Sequence, residues 1–375
     1  MRGLHRAIMA CARIARAAIK RRELQRMQSV FPGTGRPTGR GPPLPNIPND
    51  PPSGADVVTG KSRLFTNKCS NRSSHFHREL LESIMTPTTC STSQPLSFGD
   101  SSQQTFKVCT FLVNMLSNMY EQWLNAGSPR DFDWQPANAC PITKDFKVED
   151  YAFGQLIWST FTLEFKKTVT EPFGCLVKSK TDGSLYLVFR GSKSLADFEV
   201  DIEFKPVAYS APTPNPPPGI LVARGWYAVY TGLVEALDAQ LKTIGSKPLT
   251  ITGHSLGSAL ATLAVPLAAS HNIAALHYNS ASPMVGLKPF HDYYENLKVQ
   301  TFRLVNTADT VPNLPPKRSG DYQHVGIEVP FNADYGAEKK THHPCCSYAY
   351  AIYNPDAPCN KDFDACAPTL GQSHE

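Results

Sequence analysis

The run Leu249-Thr250-Ile251-Thr252 passes directly into Gly253-His254-Ser255-Leu256-Gly257, and then into an Ala- and Leu-rich stretch from Ser258 to Ala269. The first run is apolar or β-branched and predicts a short buried strand; the last predicts a buried helix. Ser255 then sits on the turn between them, which constrains the backbone severely. A serine on a tight strand-to-helix turn takes a strained conformation, and side chains larger than hydrogen at positions 253 and 257 would collide with the neighbouring strand and helix. The strain exposes the serine hydroxyl. The same turn leaves the Leu256 N–H at the positive end of the helix dipole, where it can face a developing oxyanion.

A serine nucleophile needs a base, and the base needs an orienting acid. Downstream, Val299 to Val305 predicts another strand, followed by Asn306-Thr307-Ala308-Asp309-Thr310-Val311-Pro312. Asp309 therefore lies just past a strand's C-terminal end, where catalytic groups gather in open α/β sheets. Later still come His342 and His343, with Pro344 and a helix-like run from Ser347 to Tyr353. Proline suits a first helical turn, so one of the two histidines stands at or just before a helix start. Upstream, the strand Leu185 to Phe189 runs into Arg190-Gly191-Ser192, and Ser192 can offer a backbone N–H and a hydroxyl as a second oxyanion donor.

Four segments taken together resemble the class 3, fungal-lipase-like branch of the α/β-hydrolases. They are Leu187 to Ser192; Val222 to Tyr230, similar to a His-x-Gly-Phe segment; the pentapeptide around Ser255; and Arg303 to Pro316, similar to the family's acid motif over its whole length. The resemblance covers about residues 104–353. It implies an α/β-hydrolase fold, with a mostly parallel central sheet flanked by helices. It also implies Ser255 as nucleophile, Asp309 as acid, and Ser192 with Leu256 as oxyanion donors. For the base it points to His343, five residues before Tyr348 in the family's register; His342 would need a one-residue shift. His324 matches a structural histidine after the Leu-Pro-Pro run. Three departures stand out: Ser258 in place of a glycine, Arg224 beside Gly225, and Ser280-Ala281-Ser282-Pro283 where the family has Phe-Gly-x-Pro.

The implied chemistry is hydrolysis of lipid carboxylic esters through an acyl-enzyme, triacylglycerols first, with phospholipase A1 or a polar-ester (feruloyl-type) esterase as variants. A catalytically silent lipid-binding protein is the non-enzymatic alternative. The chemistry requires neither metal nor organic cofactor, and the expected partner is an ester at a lipid–water interface, not nucleic acid. Leu195, Phe198 and Ile202 fall on one helical face while Phe198 to Phe204 alternates as a strand would, so Lys193 to Glu199 is expected to form a short lid leading into a strand, or a plain surface helix. Pro212 to Gly219 is too proline-rich for a helix.

Domain organisation follows from composition. Residues 1–60 hold 10 Lys and Arg against 3 Asp and Glu, a net of +7 in a chain of net +5, so the basic balance belongs to this segment. It is Pro- and Gly-rich beyond Phe31 and expected to be disordered. Residues 61–103 form an N-terminal extension of the core, 104–355 the hydrolase domain and 356–375 a tail. The first 22 residues lack acids and interleave Arg with Ile, like an organelle transit segment. Ten cysteines and the sequon Asn71-Arg72-Ser73 point instead to disulfides and a secretory route. His342, His343, Cys345, Cys346, Cys359 and Cys366 offer zinc-type ligands, but in no common zinc spacing. No stretch is long and apolar enough to span a bilayer.

Overall fold

A computed structural model describes residues 90–162, 168–192, 204–213 and 217–367. The basic segment, the sequon and the expected lid at 193–199 lie outside the described residues.

The main sheet has seven strands in the order β1-β2-β3-β6-β7-β9-β11. They are β1 (Tyr151–Thr162), β2 (Thr168–Ser179), β3 (Leu185–Phe189), β6 (Leu249–His254), β7 (Ala275–Ser280), β9 (Gln300–Asn306) and β11 (Ile327–Phe331). The β1–β2 and β2–β3 pairs are antiparallel; from β3 through β6, β7 and β9 to β11 every pair is parallel. A smaller antiparallel sheet joins β4 (Pro206–Ala208), β5 (Leu221–Ala223), β8 (Gly286–Leu287) and β10 (Tyr322–Gln323).

Helices cover both faces of the main sheet, and the strand residues show why. In β3, Leu187 and Phe189 join the core cluster containing the helix after β6, whereas Val188 joins the cluster of the long N-terminal helix. Successive side chains of a strand point to opposite faces, so a strand covered on both sides must be apolar throughout, as β3 is. The N-terminal helix is α1 (Gln103–Asn125), started by Ser102, whose side chain accepts from the Thr105 N–H at 3.1 Å. Between β5 and β6 run α2 (Arg224–Thr231) and α3 (Val234–Ile244), and the helix after β6 is α4 (Leu256–Ser270). Every residue of α4 from Leu256 to Ala268 is buried, which accounts for its all-round apolar sequence. This is the α/β-hydrolase fold.

Three disulfides, Cys90–Cys359, Cys140–Cys345 and Cys346–Cys366, tie the chain's described ends to the core beneath the C-terminal helices. Cys109 and Cys175 are free and buried, and burial pushes both thiols up to about 12.

Candidate active site

Ser255 stands between β6 and α4 with φ +58° and ψ −126°, a backbone region that L-residues rarely enter. Its two glycines are required by contact. A Cβ at Gly253 would strike the Gly257 backbone, and one at Gly257 would come within 2.5 Å of the carbonyl oxygens of Phe189 and Arg190. The expected departure at 258 has a use: the Ser258 hydroxyl donates to the Ser255 carbonyl at 2.5 Å, bracing the turn. The Ser255 Oγ is buried and makes no hydrogen bond among the described residues.

Two strands away, β9 ends at Asn306 and delivers Asp309. The carboxylate is buried and receives three donors: His342 Nδ1 at 2.7 Å and the Tyr348 hydroxyl at 2.6 Å, both on Oδ2, and the Val311 N–H at 2.9 Å on Oδ1. Burial pushes the Asp309 pKa up, but the His342 charge and these donors outweigh it and hold the carboxyl below its ordinary value. A carboxylate can only accept, so His342 Nδ1 carries a proton and Nε2 is the nitrogen that can exchange one.

The ring that meets Asp309 belongs to His342 and not to His343, the expected base. His342 closes α5 (Glu338–Thr341), and His343 caps the π-helical turn Pro344–Ala349 that leads into α6 (Tyr350–Tyr353). The His343 Nδ1 accepts the N–H groups of Cys345 and Cys346 at 3.2 and 3.0 Å, so its lone pair serves a helix start. Burial and the adjacent His342 lower its pKa to about 4. Tyr348, the landmark of the register, turns inward and donates to Asp309 beside His342.

Several further residues set the position of His342, and sequence patterns did not single them out. His254, immediately before Ser255, lies with its ring 4.6 Å from that of His342. Its Nε2 reaches the His342 carbonyl at 2.9 Å, and its Nδ1 the Ser280 hydroxyl at 3.0 Å. A carbonyl only accepts, so Nε2 is the protonated nitrogen and the Ser280 hydroxyl donates to Nδ1. Burial and the neighbouring His342 hold the His254 pKa well below its ordinary value, which keeps this pattern in place. Asn306 Nδ2 donates to the carbonyls of Ala333 and Thr341 at 2.9 and 3.3 Å, and Ser347 donates to the same Thr341 carbonyl at 2.9 Å. The peptide groups on both sides of His342 are therefore held.

On the other flank, β3 ends at Phe189 and the chain turns through Arg190 and Gly191 to Ser192. Gly191 packs on the serine turn: a Cβ there would lie 3.1 Å from the His254 carbonyl and 3.3 Å from the Ser255 Cβ. Ser192 follows directly, and Leu256 opens α4 with its N–H in the first turn.

Other expectations resolve as follows. His324 stands apart from Asp309, with Nε2 donating to the Pro312 carbonyl at 2.9 Å. The Ser280 to Pro283 segment ends β7, and Ala281 there has φ +50°, a conformation that favours the family's glycine. The sulfurs of Cys345, Cys346 and Cys366 cluster, but all three are oxidised in disulfides and offer no thiolate to zinc. No helix among the described residues is long and apolar enough to cross a membrane.

Part of the chain is similar to known proteins. The family described as "Lipase (class 3)" matches residues 186–319. A lipase of Rhizomucor miehei is 29% identical over 230 residues, 58% of this chain and 56% of that protein. The secreted mono- and diacylglycerol lipase A of Penicillium cyclopium is 30% identical over 176 residues, 45% of this chain and 55% of the relative. The chain thus spans about half the length of these relatives. A solved Rhizomucor miehei lipase–propeptide complex aligns with a TM-score of 0.47 and 26% identity, over 64% of this chain and 70% of that one. The matched segment runs from the strand before Ser192 through Ser255 to beyond Asp309, and over these residues the chain is similar to the class 3 lipases.

Proposed function

We propose that the chain hydrolyses carboxylic esters of lipids, triacylglycerols first among them, through Ser255, His342 and Asp309. The observation that carries this reading is the His342–Asp309 hydrogen bond, which fixes the protonated nitrogen and leaves Nε2 as a base beside the strained serine turn.

His342 Nε2 takes the Ser255 proton as Oγ attacks the ester carbonyl. Asp309 holds the tautomer and stabilises the imidazolium, and the backbone N–H groups of Ser192 and Leu256 receive the oxyanion. His342 then returns its proton to the leaving alcohol. Water, deprotonated by the same nitrogen, attacks the acyl-enzyme and releases the fatty acid. The lipid class is supported by relatives named as lipases, one of them a mono- and diacylglycerol lipase. The three disulfides, together with the secreted Penicillium relative, support folding in an oxidising compartment.

The test is hydrolysis of p-nitrophenyl esters from short to long acyl chains, and of emulsified tri-, di- and monoacylglycerols, by the native chain and Ser255→Ala. Ser255→Ala should lose essentially all turnover. Hydrolysis undiminished in that variant would sink the serine mechanism, and a preference for short polar esters alone would remove the lipid assignment.

A further inference from the structure

Arg190 is almost completely buried, and among the described residues its polar contacts go to β2 and to Gly191, which packs on the serine turn. Its Nε donates to the Pro172 carbonyl at 2.7 Å, Nη2 to Glu171 Oε2 at 2.7 Å and Nη1 to the Gly191 carbonyl at 2.8 Å. Its own N–H donates to the Phe173 carbonyl at 2.9 Å. The guanidinium carbon lies 3.4 Å from the centre of the Tyr120 ring and 4.1 Å from that of Phe173. Tyr120, on α1, also donates to Glu171 Oε2 at 3.1 Å. The pairing register of β1 and β2 slips between Ile157 and Trp158, so that Phe173 is an extra, bulged residue. A bulge re-aims local groups. Here Glu171, Pro172 and Phe173 all supply partners to one arginine.

A fixed planar fork aimed at the Gly191 carbonyl has a consequence one bond away. The Gly191 carbonyl and the Ser192 N–H belong to the same peptide plane, and in a trans peptide they point in opposite directions. Holding the carbonyl toward the guanidinium therefore holds the Ser192 N–H away from it. That N–H is the oxyanion donor that the loop after β3 contributes. Glycine at 191 would otherwise let this peptide rotate, since it lacks the Cβ that restricts its neighbours.

We propose that Arg190 is a positioning residue for catalysis: clamped by Glu171, Pro172 and the Tyr120–Phe173 ring pair, it locks the Gly191–Ser192 peptide so that the Ser192 N–H is set for the oxyanion before substrate arrives. Such preorganisation lowers the cost of stabilising charge in the transition state and leaves substrate binding little affected. Lysine cannot replace this arginine, because one ammonium on a flexible stem cannot span three fixed acceptors in a plane. The inference rests on the oxyanion role of Ser192 proposed above.

The experiment compares the native chain, Arg190→Lys, Glu171→Gln and Ser255→Ala on p-nitrophenyl butyrate. Inhibition by butylboronic acid, whose tetrahedral serine adduct places an oxygen at the oxyanion position, is measured in parallel. Arg190→Lys should lower kcat by about thirtyfold with KM within about threefold of native, and weaken the boronate by a similar factor. Glu171→Gln should shift both readouts in the same direction by about threefold, and it decides the matter alone should Arg190→Lys not fold. A folded Arg190→Lys with native kcat overturns the proposal, as does a kcat loss with boronate affinity unchanged, which would mark a merely structural arginine. Native-like Arg190→Lys with inactive Ser255→Ala removes the Arg190 role only; an active Ser255→Ala removes the serine mechanism itself.

Discussion

The Nδ1 of His342 lies 2.7 Å from Oδ2 of Asp309, whereas the adjacent His343 turns its Nδ1 to the N–H groups of Cys345 and Cys346. Two neighbouring histidines thus have separate tasks, and substitution distinguishes them. His342→Ala should lower kcat by about 10³-fold or more at unchanged melting temperature. His343→Ala should keep kcat within about tenfold but cost about 1 kcal/mol of stability through the lost cap. Steady-state kinetics on a soluble ester and thermal melts read both. The reverse pattern would return the base to His343.

Tyr348 shares Asp309 Oδ2 with His342, and its hydroxyl oxygen also accepts the Asn306 N–H at 3.2 Å. Tyr348→Phe removes one donor from the carboxylate and leaves a buried backbone N–H unpaired. The expected cost is about 1–3 kcal/mol of stability, measured by denaturant unfolding. The kcat should fall about tenfold as the acid loses a fixed orientation. Full activity in this variant would show that His342 alone orients Asp309.

Acid should destabilise the protein in a defined window. Burial is the leading cause that lowers His277 and His324 to about 3 and His343 to about 4, and it holds His254 well below its ordinary value. In the unfolded chain these rings take protons near pH 6.5, while in the folded chain they remain neutral. Between pH 6.5 and about 4 the unfolded state therefore binds more protons, and stability falls on acidification by up to about 1.4 kcal/mol per pH unit for each ring. Asp309, with its folded pKa depressed, adds stability above its unfolded pKa that is lost as pH falls through the folded value. Melting temperature measured from pH 8 to 4 should decline mainly below 6.5, and His277→Gln should flatten the curve. A melting temperature constant down to pH 4 would contradict the neutral buried rings.

The Cys140–Cys345 disulfide links residues 205 positions apart, and Cys345 lies two residues beyond His343. Reduction, or the double substitution Cys140→Ser with Cys345→Ser, should remove about 2–5 kcal/mol of stability. Because the cross-link anchors the turn that carries Tyr348, activity should decline at temperatures below the global melt. Melts and activity assays with and without dithiothreitol check this; coincident losses would mean that the turn does not loosen first.

What the sequence determined is local. Gly253, Ser255 and Gly257 between an apolar strand and an Ala-rich helix dictate the strained turn, because only glycine fits where the backbone of Gly257 approaches Phe189 and Arg190. Asp309 follows a strand end for the same short-range reasons, and the strands around Leu187, Ile251 and Leu304 follow from runs rich in apolar and β-branched residues. The tertiary structure alone decided which histidine meets Asp309. Its choice depends on bonds spanning 33 residues to Asp309 and 88 residues between His254 and His342, which no spacing encodes. The pairing of Cys90, Cys140 and Cys346 with distant partners, and the fork of Arg190 onto Gly191, were likewise invisible in the sequence. Hydrogen bonds and cross-links of this kind are set by where separate elements meet. A one-residue offset such as His342 for His343 costs nothing in pattern but reverses which ring faces the acid.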